Sequence, residues 1–123
     1  MSHDQYRLGD YLAHILTAIE RIEQYTNELD EVAFLENPMV QDAVLRNLEI
    51  IGEASNNIEK RYSDFAAANP ELPLAAAYQM RNAVAHGYFK VDLEVVWRTV
   101  HGDLPKLYHQ VREIAQSLSN DVN

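Results

Sequence analysis

Residues 37–62, NPMVQDAVLRNLEIIGEASNNIEKRY, decide how this chain folds. Val40, Val44, Leu48, Ile51 and Ile58 recur at helical steps along one side, and Ala43, Leu45, Ile50 and Ala54 widen the apolar arc past half the circumference. A helix that is apolar over so much of its surface must be covered by neighbours on several sides, so it belongs at the centre of a bundle. Asn37 is suited to cap it and Pro38 to open it. The polar strip left over carries Asp42, Arg46, Glu49, Glu53, Asn56 and Lys60.

The flanking text supplies the neighbours. Upstream, Leu8, Leu12, Ile15, Ile19, Ile22 and Leu29 keep the same phase, with Thr26 filling the one gap, which predicts an amphipathic helix of about six turns. Its opposite side, Asp10, His14, Thr17, Arg21, Gln24 and Glu28, reads as a solvated stripe, so His14 is expected at the surface. Downstream, AANPELP breaks the pattern, and a third helix is expected from about Pro73 to Ala85, with Gly87 available for a left-handed stop. A fourth begins at the cap Asp92 and carries Leu93, Val96 and Trp97, Val100, Leu104, Leu107, Val111, Ile114 and Leu118. Pro105 lies inside that run while the phase continues across it, which predicts a kink, with the helix resuming at Lys106. The expectation is an all-α antiparallel bundle of four main helices, one domain over residues 1–123, with fraying before about residue 4 and after Ser119.

Composition narrows the chemistry. Hydrophobic residues make up 47% of the 123, and only four Gly and four Pro occur, which argues against disorder and against a turn-rich β protein. Cysteine is absent, so disulfides, thiolate catalysis and cysteine-ligated metals are excluded. His101 and His109 stand eight apart with no carboxylate at ligand spacing, so no metal site and no cofactor is expected. The first ten residues lack the basic flank and apolar run of a signal peptide, and no stretch is apolar for the roughly 18 residues a membrane span needs, which points to a cytoplasmic protein. A net charge of −9 opposes non-specific binding of polyanions, so any nucleic acid would have to be met by a local basic patch.

One stretch offers such a patch: RNAVAHGYF, residues 81–89. On an ideal helix Asn82 and His86 share a face, whereas Arg81 lies about 140° around from His86. Either the last turn unwinds near Gly87, or two chains meet about a two-fold axis and each supplies part of one cleft. Two histidines and two arginines so gathered have the components of metal-independent RNA cleavage. A neutral imidazole takes the proton of a ribose 2′-hydroxyl, a protonated one gives a proton to the leaving 5′-oxygen, and Arg binds the phosphate as charge builds on it. The plainer alternative is a solvated or ion-paired arginine and a histidine that satisfies a helix terminus. Arg46, Glu49 and Glu53 likewise have two readings, one facing the cleft and holding Arg81 or His86, the other a solvated face of intrahelical pairs. Tyr88, Phe89 and Trp97 are candidates to stack bases, with packing the favoured role for Phe89 and Trp97.

RNAVAHGYF resembles the Arg-x4-His-x-Tyr motif of HepT-like toxins, a branch of the HEPN superfamily. VLRNLEIIGEASNNI and VDLEVVWRTVHGDLPKLYHQV are similar to that branch as well, so the likeness spans about residues 8 to 115. The chain departs from it at LPLAAAY, where the family often has a tryptophan after the proline. The resemblance implies a helical homodimer acting as a metal-independent endoribonuclease on RNA, with Arg81 and His86 catalytic and Asn82 supporting them. It also implies that Tyr88 accepts AMP from a cognate MntA-like nucleotidyltransferase antitoxin, which would silence the toxin by occlusion and charge. A second expectation stands beside it: a catalytically silent helical dimer that binds the nucleotidyltransferase and accepts its nucleotide.

Overall fold

A computed structural model describes residues 7–85 and 92–122, and all of its regular structure is helical. Helix α1, Leu8–Thr26, starts where the Arg7 amide donates to Asp10 Oδ2 at 2.9 Å and buries Leu12, Ile15, Ile19 and Ile22. It ends one turn before Leu29, where the buried Thr26 hydroxyl donates to the Ile22 carbonyl at 2.8 Å. His14 is half-buried, its ring 6.1 Å from that of Tyr11, rather than fully at the surface.

A short helix the periodicity does not reveal, α2, Glu31–Leu35, follows; Asp30 caps it by accepting from the Ala33 amide at 2.8 Å, and Phe34 is completely buried. Helix α3, Pro38–Arg61, opens as expected, with Asn37 Oδ1 accepting from the Val40 amide at 3.1 Å. Val44, Leu48, Ile51, Ala54 and Ile58 form its buried stripe. Burying one such aliphatic side chain contributes about 1.5–3 kcal/mol, so this stripe is a principal source of stability. Tyr11 near the start of α1 meets Tyr62 just past the end of α3, ring centroids 6.5 Å apart, so the two helices run antiparallel. A second short helix, α4, Ser63–Ala68, leads to α5, Leu74–Ala85, which lies along α3 in the most extensive helix pair.

The last helical run is divided. Asp92 caps α6, Leu93–Arg98, by accepting from the Glu94 and Val95 amides. A π turn, Thr99–Asp103, then joins it to α7, Leu104–Val122, so the regular helix reaches past Ser119 and resumes at Leu104 rather than at Lys106. The kink expected at Pro105 is this turn. In a continuous α-helix the proline ring would meet the His101 carbonyl and leave it without a donor. The wider turn, closed by the Leu104 amide on the Thr99 carbonyl, relieves that conflict. Val96, Val100 and Leu104, two successive steps of four, stay buried across it. Helix α7 lies against α1, where the Tyr108 hydroxyl donates to Glu20 Oε2 at 2.7 Å; that bond, reinforced by partial burial, holds the phenol above its ordinary pKa of 10.0. Among the described residues no helix is long and apolar enough to cross a membrane.

Candidate active site

The motif begins on the last turns of α5, and its geometry follows from what α3 lacks at the crossing. A β-carbon added at Gly52 would overlap Cβ of Arg81 and stand 2.7 Å from the Ala77 carbonyl oxygen. Only hydrogen at this position lets the α5 backbone come so near, and the approach seats Arg81 directly on α3. One turn earlier Ala77 and Met80 wall a cleft of about 430 Å³, shared with Leu48, Ile51, Leu104 and Leu107.

Seated there, Arg81 is held on three sides. Its Nε donates to Glu53 Oε2 at 3.1 Å, Nη1 donates to Asn82 Oδ1 at 3.0 Å, and the guanidinium lies 6.0 Å from the centre of the Tyr78 ring. Arg81 is 31% exposed and Glu53 51%, so solvent screens the pair and its worth is about 0.2–1 kcal/mol. What it fixes is direction: with Nε and one Nη1 proton engaged, no described residue takes the Nη2 protons, which can serve an anion. Such an arginine, half in water and already oriented, is suited to a phosphate ester.

The polar strip of α3 divides. Glu53 reaches Arg81, whereas Arg46 and Glu49 pair with each other at 3.8 Å, with Arg46 71% exposed. Asn82, placed by the ideal helix on the face of His86, gives its oxygen to Arg81. His86, Tyr88 and Phe89 lie outside the described residues. Trp97 packs between Phe34, 5.3 Å between ring centroids, and His101, 3.9 Å, while His101 Nδ1 is 3.0 Å from the Trp97 carbonyl. Among the described residues no three His, Asp or Glu side chains are grouped to hold a metal ion. The sequence reading did not single out Gly52 and Tyr78. The signal for Gly52 was a glycine inside the most apolar helix, and for Tyr78 its place three residues before Arg81.

Comparison with known proteins adds the family. The family model described as "Ribonuclease HepT-like" matches residues 15–114. A protein of Thermococcus cleftensis named "Probable ribonuclease HepT" is 47% identical over 98 residues, covering 80% of this chain and 86% of that one. One of Caldanaerobacter subterraneus subsp. tengcongensis, named "Putative RNase TTE0752", is 34% identical, covering 86% of this chain and 92% of its own. No solved structure matches.

Proposed function

The chain belongs to the HepT-like ribonuclease family, and from that premise we propose that it is a metal-independent endoribonuclease, the toxin of a HEPN and minimal nucleotidyltransferase pair. The observation that carries the reading is Arg81, oriented by Glu53 and Asn82 at the head of the motif with its Nη2 engaged by no described residue. In the working form two copies meet as a dimer, and the two motifs share one cleft.

The reaction needs no metal. Neutral His86 accepts the proton of the ribose 2′-hydroxyl, and the 2′-oxygen attacks phosphorus. The bond to the 5′-oxygen breaks, and that oxygen takes a proton from the partner subunit's His86, leaving a cyclic phosphate and a free 5′-hydroxyl. Arg81 stabilises the charge that gathers on the non-bridging oxygens; loss of such a donor costs about 10²–10³ in rate. Asn82 and Glu53 act through Arg81 as positioning residues. Control is covalent: the Tyr88 oxygen attacks the α-phosphorus of ATP on the nucleotidyltransferase, pyrophosphate leaves, and AMP then stands two residues from His86, where it excludes RNA.

One observation favours a second reading. Glu53 neutralises Arg81 in a chain of net charge −9, which weakens its hold on RNA and fits a silent acceptor of AMP. Incubating unmodified protein, verified by mass, with total cellular RNA in EDTA separates the two. Cleavage by wild type, lost in His86→Ala and reduced at least a hundredfold in Arg81→Ala, is the expected result. No cleavage by folded wild type would replace the ribonuclease with the silent acceptor.

A further inference from the structure

Away from the motif, three large apolar side chains stand in water on neighbouring elements: Met39 on α3 at 79% exposure, Val32 on α2 at 64% and Val95 on α6 at 42%. Helix α2 packs on both α3 and α6, which brings the three elements that carry these side chains to one corner of the bundle. Packing and caps tie the corner together. Phe34, completely buried, stacks beside Trp97, and its carbonyl accepts from Gln41 Nε2 at 2.9 Å. Asp30, Asn37 and Asp92 cap the three helices that meet here.

The same corner is predominantly acidic, with Arg98 on α6 as its described cation, whose Nε donates to the Glu94 carbonyl at 3.4 Å. From residue 22 to residue 45 the chain carries Glu23, Glu28, Asp30, Glu31, Glu36 and Asp42 and no Lys or Arg. Asp92 and Glu94 add two carboxylates from α6. Glu31, Glu36, Asp42 and Glu94 are exposed, and among the described residues none of them is ion-paired. Asp30 and Asp92 are already engaged as caps and Arg98 folds back toward Glu94, so Glu31, Glu36 and Asp42 supply most of the outward field.

We propose that this face docks a protein partner whose surface presents lysine or arginine around an apolar centre. Exposed apolar anchors ringed by charge are the anatomy of a recognition surface, and the sign of the ring selects the occupant. RNA and anionic lipid are repelled by it. A second copy related by a two-fold axis would set carboxylates against carboxylates, so a self-contact here is opposed as well. The inference rests on the proposed function at one point only. Tyr88 precedes Asp92 by four residues, a stretch of at most about 14 Å when extended, so a partner seated on this face stands within reach of the acceptor tyrosine.

The test titrates the full chain with a fluorescent 18-residue helical peptide, lysines on one side and leucines on the other, and reads affinity by anisotropy. Glu31→Gln with Glu94→Gln is expected to weaken binding about tenfold and Val32→Ser with Met39→Ser about fivefold. Asp64→Asn with Glu113→Gln, which removes the same charge elsewhere, is expected to change it less than twofold. Equal losses in the two charge pairs would mean diffuse attraction and overturn the proposal. So would an unaffected apolar pair, or no binding by wild type. Sedimentation of the Val32→Ser, Met39→Ser chain covers the remaining occupant: conversion of a dimer to monomer would make the face a self-interface. RNA cleavage is scored in parallel. Binding lost with cleavage kept places the effect in the docking face, and binding kept with no cleavage counts against the ribonuclease alone.

Discussion

Helix α3 meets its surroundings in two ways that obey different physics. Along its aliphatic stripe, Val44, Leu48, Ile51 and Ile58 hold neighbours at side-chain distance, and stability grows with the apolar area removed from water. At Gly52 the contact is made by the absence of a side chain, and what is gained there is position: the α5 backbone settles on α3 and carries Arg81 to a defined place beside Glu53. The first region is where the fold gets its free energy. The second is where the motif gets its aim, and it tolerates error in a different way.

Substitutions can break that contrast. Ile58→Ala, at a completely buried site, is expected to cost roughly 2–5 kcal/mol in urea unfolding, with the activity of the protein that remains folded unchanged. Gly52→Ala should cost less, about 1–3 kcal/mol net of the helix propensity that alanine restores, because the new methyl must push α5 away. Its effect on Arg81 should exceed its effect on stability. Gly102→Ala, where nothing lies within 4 Å, is the control and should be neutral or slightly stabilising. If Gly52→Ala unfolded no more easily than Gly102→Ala, the close crossing would be disproved. Apart from that control, the smallest change in stability belongs to Glu53→Gln, under about 1 kcal/mol because the pair is solvated, while RNA cleavage falls through kcat with KM little altered. A stability loss as large as that of Ile58→Ala would place Glu53 in the core's energetics instead.

The contrast also explains what the sequence disclosed. Stripes that bury aliphatic area repeat at the helical period, so α1, α3 and the α6 to α7 run were legible, as were the caps Asn37 and Asp92, while α5 was legible from the break before it and the glycine after it. Helices α2 and α4, five and six residues long, are too short to show a period. A helix crossing leaves no period at all: that Gly52 lies under Arg81 depends on how two distant segments pack, and nothing within either segment says so. The strip Arg46, Glu49, Glu53 was readable as polar, but its division between a surface pair and a partner for Arg81 needed the third dimension. The bond from Arg81 to Asn82 was not legible for another reason, since the helix wheel places Cβ atoms and a guanidinium is long enough to reach around it.

The π turn at Thr99–Asp103 bears on how this sequence can change. Although Val100 is buried and His101 packs on Trp97, Gly102 and Asp103 are exposed, so their identities are cheap to alter. Their number is not. Deleting or adding one residue there would rotate everything after it by about 100° about the helix axis and turn Leu107 and Val111 out of the core. The segment works as a spacer: free in spelling only at its exposed end and fixed in length.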